Sequence, residues 1–161
     1  MGRKSTKKDK NIYQLSREKI GYTREKASEK MEFISPDKIA NIENGAIARP
    51  EEILALAKCY KKPSLCNYYC SHDCAIGEEY VPQIELKELP QIVLETLNSL
   101  NLLNKEKERL VQITVDGKIS PEEYADFQKI QNLLEQISVT VETLQLWVEQ
   151  KIADGEIKKV K

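Results

Sequence analysis

The stretch Ser35-Pro36-Asp37-Lys38-Ile39-Ala40-Asn41-Ile42-Glu43-Asn44-Gly45 holds a helix start, an inward-facing apolar pair and a helix stop within eleven residues. Ser35 can accept a hydrogen bond from the first turn, and Pro36 gives up an N–H that would be unpaired there anyway. Asp37 suits the positive end of the helix dipole. Ile39 and Ile42 fall on one side, and Gly45 supplies the left-handed residue that often closes a helix. A helix this short is not stable alone in water, so neighbours must hold it. That leaves Pro36, Asp37, Lys38, Asn41 and Asn44 on the outward side.

The neighbours follow from the same rules. Asn11 to Lys19 carries Ile12 and Leu15, with Ile20 beyond and Gly21 as the stop, which predicts a first short helix. Thr23 caps a second helix whose inner side is Ala27 and Met31, and Glu32, Phe33 and Ile34 form the turn into the stretch above. A fourth helix opens at Pro50 with Glu51 and Glu52 in its first turn and runs through Ile53, Leu54, Leu56 and Ala57 towards Tyr60, before Lys62-Pro63 ends it. Helices of this length have to share one core. A short helix presented this way has the scale of a DNA major groove.

Charge divides the chain. Net charge is −1, but residues 1–63 carry 15 Lys and Arg against 9 Asp and Glu, whereas residues 64–161 carry 10 against 17. The front can sit on a polyanion; the rest would be repelled by one. Arg3, Lys4, Lys7, Lys8 and Lys10 make residues 1–10 a basic arm, either tracking a phosphate backbone or simply solvated.

Gly21 to Pro63 resembles the Cro/CI-type helix-turn-helix family, also called the XRE or lambda-repressor-like family. The matching features are Gly21-x-Thr23-Arg24-Glu25, the small Ala27, Ile39-x-x-Ile42-Glu43-x-Gly45 and Pro50-x-x-Ile53-x-x-Leu56-Ala57. The resemblance implies a five-helix domain over residues 11–76, with the fifth helix near Leu65 to Tyr69. It also implies double-stranded DNA as the partner. Arg24 stands where the family usually has a Gln that clasps a phosphate, and the outward side of the third helix stands where bases are read. The reading positions hold Pro36, Asp37 and Asn41, where Gln, Arg or Ser is more usual. The expected contacts are Arg24, Ser35, Asp37, Lys38, Asn41, Asn44 and Arg49, with Asn41 for a base edge and the others mainly for phosphate; Asp37 can accept from cytosine N4. A helix-turn-helix that binds protein instead of DNA is the alternative.

Cys59, Cys66, Cys70 and Cys74, with His72 between the last two, are dense enough to raise the question of zinc or an iron–sulfur cluster. One compact run without a second knuckle departs from the usual zinc spacing. Free thiols packed as small hydrophobes beside Tyr68 and Tyr69 are the favoured expectation, with no metal and no cofactor. A metal- or redox-gated regulator is the rival. The basic N-terminus is followed by no apolar leader and no stretch is long enough to span a bilayer, so the expected location is the cytoplasm, with reduced thiols.

Residues 77–89, with Gly77 and Pro82, read as a linker. Beyond it, Val93, Leu97, Leu100, Leu103, Leu110 and Ile113 mark a long helix from about Pro90 to Val115, interrupted at Lys107. Asp116-Gly117-Lys118 is the turn, and Ser120-Pro121-Glu122-Glu123 a second capping signal. Phe127, Ile130, Leu134, Ile137, Val141, Leu144 and Val148 then repeat at alternating spacings of 3 and 4, a heptad seam on a rod of roughly 50 Å. Tyr124, Leu133, Leu146 and Trp147 lie outside the seam and point to a second buried surface.

The expected fold class is therefore all-α, an N-terminal five-helix domain plus an antiparallel long-helix hairpin over residues 90–155, with a basic tail at 156–161. The hairpin is expected to form a homodimer, with packing against the N-terminal domain within one chain as the alternative. No phosphate loop or nucleophile-base pair suggests an enzyme or a small-molecule substrate.

Overall fold

The computed structural model describes residues 9–158, and among these the chain is all helical, with eight helices and no strand. The arm residues Arg3, Lys4, Lys7 and Lys8, and the end of the basic tail, lie outside the described residues. Contacts divide the chain into two units, residues 1–83 with 149–161, and residues 84–148. By sequence the first carries 19 Lys and Arg against 15 Asp and Glu, and the second 6 against 11.

In the first unit, α1 spans Ile12–Lys19, α2 Arg24–Met31, α3 Pro36–Glu43, α4 Pro50–Cys59, α5 Ser64–His72 and α6 Ala75–Tyr80. Capping sets most of the starts. The Asn11 side chain accepts from Gln14 N–H, Thr23 from Lys26 N–H and Ser35 from Lys38 N–H. At α4 the cap works in reverse, with Arg49 N–H donating to the Glu52 carboxylate at 2.8 Å. Tyr13, Ala27, Met31, Ile34, Ile39, Ile42, Ile53, Leu56, Tyr60 and Leu65 form one buried core. Ala27 is completely buried where α2 lies against α3 and α4, which is why a small side chain stands there.

The turn between α2 and α3 is tighter than the composition Glu32-Phe33-Ile34 suggests. Glu32 has φ 63° and ψ −40°, and Phe33 N–H donates to Met31 O at 2.7 Å. A positive φ closed by an i to i+2 hydrogen bond is a γ-turn of the rare, strained kind. Glutamate has no advantage there, because its Cβ is crowded at positive φ.

Two helices occupy the prolyl and acidic region that follows Lys62. α5 runs Ser64–His72, longer than the Leu65 to Tyr69 segment read from sequence, and α6 takes up Ala75–Tyr80, across the end of the expected 11–76 domain and the start of the expected 77–89 linker, before an irregular segment at 81–88. Gly77 makes the α5–α6 packing possible. A Cβ placed on it would fall 2.0 Å from the Cys70 carbonyl oxygen, so only a residue without a side chain fits.

The second unit contains α7, Leu89–Thr114, and Tyr124–Val148 of α8, whose full span is Tyr124–Asp154. Gly117 adopts φ +70° between them, and Asp116 accepts from Lys118 N–H. Glu123 accepts from Ser120 N–H and Oγ, so Ser120 to Glu123 is a capping turn and α8 begins after it, at Tyr124. Arg109 pairs with Asp126 and Glu106 with Lys129, in opposite order along the two helices, as in an antiparallel pair. Ile92, Ile113 and Ile130 are buried. The stripe expected from Val93 to Ile113 splits in two: Leu103 and Leu110 are half-buried beside buried Ile113, while Val93, Leu97 and Leu100 are exposed. The α8 seam splits likewise, with Ile130 buried and Leu134, Val141 and Leu144 exposed. Outside that seam Leu146 is buried and Leu133 and Trp147 half-buried, whereas Tyr124 is exposed.

Candidate nucleic-acid interface

The third helix is fixed from within by its last residue. Glu43 follows Ile39 and Ile42 at the i+4 and i+1 positions, so the backbone turns its carboxylate into the core, where it is 1% exposed. Two arginines from two other helices meet it. Arg17 of α1 donates through Nε to Oε1 at 2.5 Å and through its terminal nitrogen to Oε2 at 3.0 Å. Arg24 of α2 donates through Nε to Oε2 at 2.8 Å. Arg17 also donates to the Tyr22 carbonyl, and Asn11 Nδ2 donates to the Ile42 carbonyl near the end of α3. Burial alone would pull the Arg17 guanidinium pKa down. The hydrogen bond and charge of Glu43 outweigh it, and the guanidinium ends above its ordinary value.

Burial of the Tyr60 ring raises its hydroxyl pKa, with the Glu43 charge adding to the effect. That hydroxyl is buried and makes no hydrogen bond to the protein.

The outward side of α3 is open. Asp37, Asn41 and Asn44 are exposed, and so is Ser35, although the Ser35 oxygen already serves as the cap. Lys38 is partly exposed and reaches Glu52 at 3.3 Å, while Arg49 is exposed at the start of α4. Of the seven expected contacts, six therefore lie on or beside one helix and the loop after it. Arg24 differs, since its Nε faces inward to Glu43 while its side chain keeps 35% exposure. Phe33 before α3 and Ile47 after it are exposed, at 65% and 81%. Neither figured among the expected contacts.

Arg17 and Glu43 were also missed as a pair. Half of the signal was present in the sequence: Glu43 directly follows Ile42 on the inner stripe, whereas Arg17 lay off the expected Ile12 and Leu15 face, and the structure instead buries Tyr13 and Arg17 and leaves Leu15 51% exposed. A charge in register with a core face implies a partner, and Glu43 could have prompted the search for one.

All four cysteines are half-buried. Cys59 and Cys66 lie against the core, and burial raises both thiol pKa values. All four cysteines are free, and among the described residues no group of three or more His, Cys, Asp or Glu side chains is placed to hold a metal. His72 stacks on Tyr68 with centroids 4.3 Å apart, and its Nδ1 lies 2.8 Å from Ser71 Oγ. Asp73 accepts from the Tyr13 hydroxyl at 2.6 Å, tying the end of α5 to α1.

Among the described residues no helix is long and apolar enough to cross a membrane. Comparison with protein-family models, curated proteins and solved structures finds no match for the chain.

Proposed function

We propose that the chain binds double-stranded DNA through a lambda-repressor-like helix-turn-helix built from α1 to α5, and regulates transcription as a dimer held by the antiparallel pair of α7 and α8. One observation carries this reading. α3 is locked on its inner side by Ile39, Ile42 and the doubly paired Glu43, while Asp37 and Asn41 stand exposed on the other side. A rigid short helix with an open polar side is what base reading requires. The net positive charge of the first unit adds a general attraction to phosphate. Lys38 and Arg49 contact phosphate, Arg24 does so through the part of its guanidinium turned to solvent, and Asn41 hydrogen-bonds a base edge, most readily adenine.

A second reading has its own support. Exposed Phe33 and Ile47 at the two ends of α3 suit a protein surface better than a polyanion. Under that reading the head is an adaptor.

Fluorescence anisotropy with a random duplex at roughly 50 and 200 mM salt separates the two. DNA binding predicts an affinity that falls more than tenfold over that range, and about a further threefold or greater weakening with the Lys38→Ala, Arg49→Ala double variant. An affinity indifferent to salt favours the adaptor. Selection of bound duplexes from a random pool then tests Asn41→Ala. Recovery of the same sequences by the variant and the parent would remove Asn41 from base reading.

A further inference from the structure

The second unit has two unlike flanks. On one, α7 and α8 border a groove of about 600 Å³ lined by Glu95, Asn98, Ser99, Asn132, Gln136 and Thr140 among others. At 100° per residue, Val93, Leu97 and Leu100 lie on the side of α7 turned away from Glu95 and Asn98. Leu134 and Val141 lie on the side of α8 turned away from Asn132 and Gln136, and Leu144 at its edge, about 80° from Gln136. The ion pairs joining 106 to 129 and 109 to 126 set the register, which brings residues 93–100 level with residues 135–142. The two apolar stripes therefore share the flank opposite the groove. All six side chains are between 37% and 54% exposed.

We infer that this flank is the self-association surface, and that its occupant is the same flank of a second copy. Three features favour a copy over an unlike partner. First, Val93, Leu97 and Leu100 are spaced by 4 and 3, and Leu134, Val141 and Leu144 by 7 and 3 with half-buried Ile137 filling the heptad, a spacing that lets knobs of one helix enter holes of another, so two copies supply four mutually compatible helices. Second, the surface carries little charge to choose a different partner. From Gln91 to Asn104 the only charged residue is Glu95, on the groove side and paired with Lys87. The α8 positions beside the stripe are Gln131, Ser138 and Gln145, with one carboxylate, Glu142, accepting from Ser138 Oγ. So little charge leaves little like-charge repulsion when the surface meets itself, whereas the acidic remainder of this unit would oppose a random encounter. Third, the area suffices. Six half-exposed Val and Leu side chains give on the order of 400 Å² of apolar surface per copy. Two copies give about 800 Å², and at the apolar share usual for homodimers this corresponds to a total of roughly 1,200 Å², the lower end of stable interfaces.

The surface deepens the dimeric reading above by naming where the copies meet. Its test uses no DNA, so its outcome and that of the duplex experiment are independent. Sedimentation equilibrium of the full chain is expected to give twice the 18.5 kDa chain mass at micromolar concentration. Leu97→Ala with Val141→Ala should raise the dissociation constant at least tenfold. Asn98→Ala with Gln136→Ala, on the groove flank of the same two helices, should leave it within about twofold. Circular dichroism follows helix content, and Leu97→Met with Val141→Ile, which keeps the surface apolar, should retain the dimer if the alanine pair loses helix. A single-chain mass at 100 μM, or dissociation caused by the groove pair and not by the stripe pair, overturns the assignment.

Discussion

Isoleucines of the first unit and leucines of the second sit at the same helical spacings but meet different ends. Ile39, Ile42 and Ile53 are each 1% exposed, within a core to which α1 to α5 all contribute, whereas Leu97 and Leu134 on two long helices stand about half exposed. Both are amphipathic by pattern. Several short helices surround a stripe on all sides, while a pair of long helices can cover only one side of each member. An apolar pattern thus guarantees burial only where enough other surfaces exist to provide it.

The sharpest way to break that contrast is to strike the polar centre of the first unit. Glu43→Ala leaves Arg17 in the core with no carboxylate, and the expected loss is about 3–5 kcal/mol in urea unfolding. Removing the partner as well, with Arg17→Met added, should recover part of it. If Glu43→Ala costs less than about 1 kcal/mol, the clamp on α3 is not structural.

Next in size is a matched pair of truncations. Ile42→Ala should cost about 2–5 kcal/mol at any protein concentration. Leu97→Ala should cost under about 1 kcal/mol in dilute protein and more as concentration rises, since its burial depends on association. Equal, concentration-independent losses would erase the distinction between enclosed and open stripes.

Gly77→Ala probes a close approach within the first unit. The added methyl meets the Cys70 carbonyl, backbone against backbone, so α6 has to move, at a cost of about 1–3 kcal/mol. Faster proteolysis after Tyr80 is the accompanying sign. The smallest effect has the opposite direction. Glu32→Gly relieves the positive φ of the γ-turn and should stabilise the first unit by up to about 1 kcal/mol, read as an upward shift of its melting temperature.

The sequence made the ends of elements easy to read and their neighbours hard. Ser35, Pro36 and Gly45 bound α3 through interactions within a few residues of each other, and Thr23, Pro50 and Gly117 act equally locally. Glu43 pairs with residues 19 and 26 positions away, a separation that no local pattern encodes. The heptad from Phe127 to Val148 located α8 but not which of its positions face α7, because a stripe defines an apolar direction without naming what lies there. α6 was hidden for a related reason: Gly77 suggests a break in isolation, and only its contact with Cys70 explains why glycine sits inside a helix. Among the candidate contacts, Lys38, Asn41 and Arg49 were legible as polar residues off the inner stripe. The inward commitment of Arg24 was not.

Glu43 is gripped by Arg17 from α1 and by Arg24 from α2, so α3 cannot roll about its own axis without parting an oxygen from a guanidinium. With side chains about 5–6 Å from that axis, a roll of some 20° shifts the carboxylate by roughly 2 Å, enough to break either grip. Whatever Asp37 and Asn41 offer to the outside is offered at one azimuth. A partner must bend or slide to fit, because the helix will not swivel to meet it.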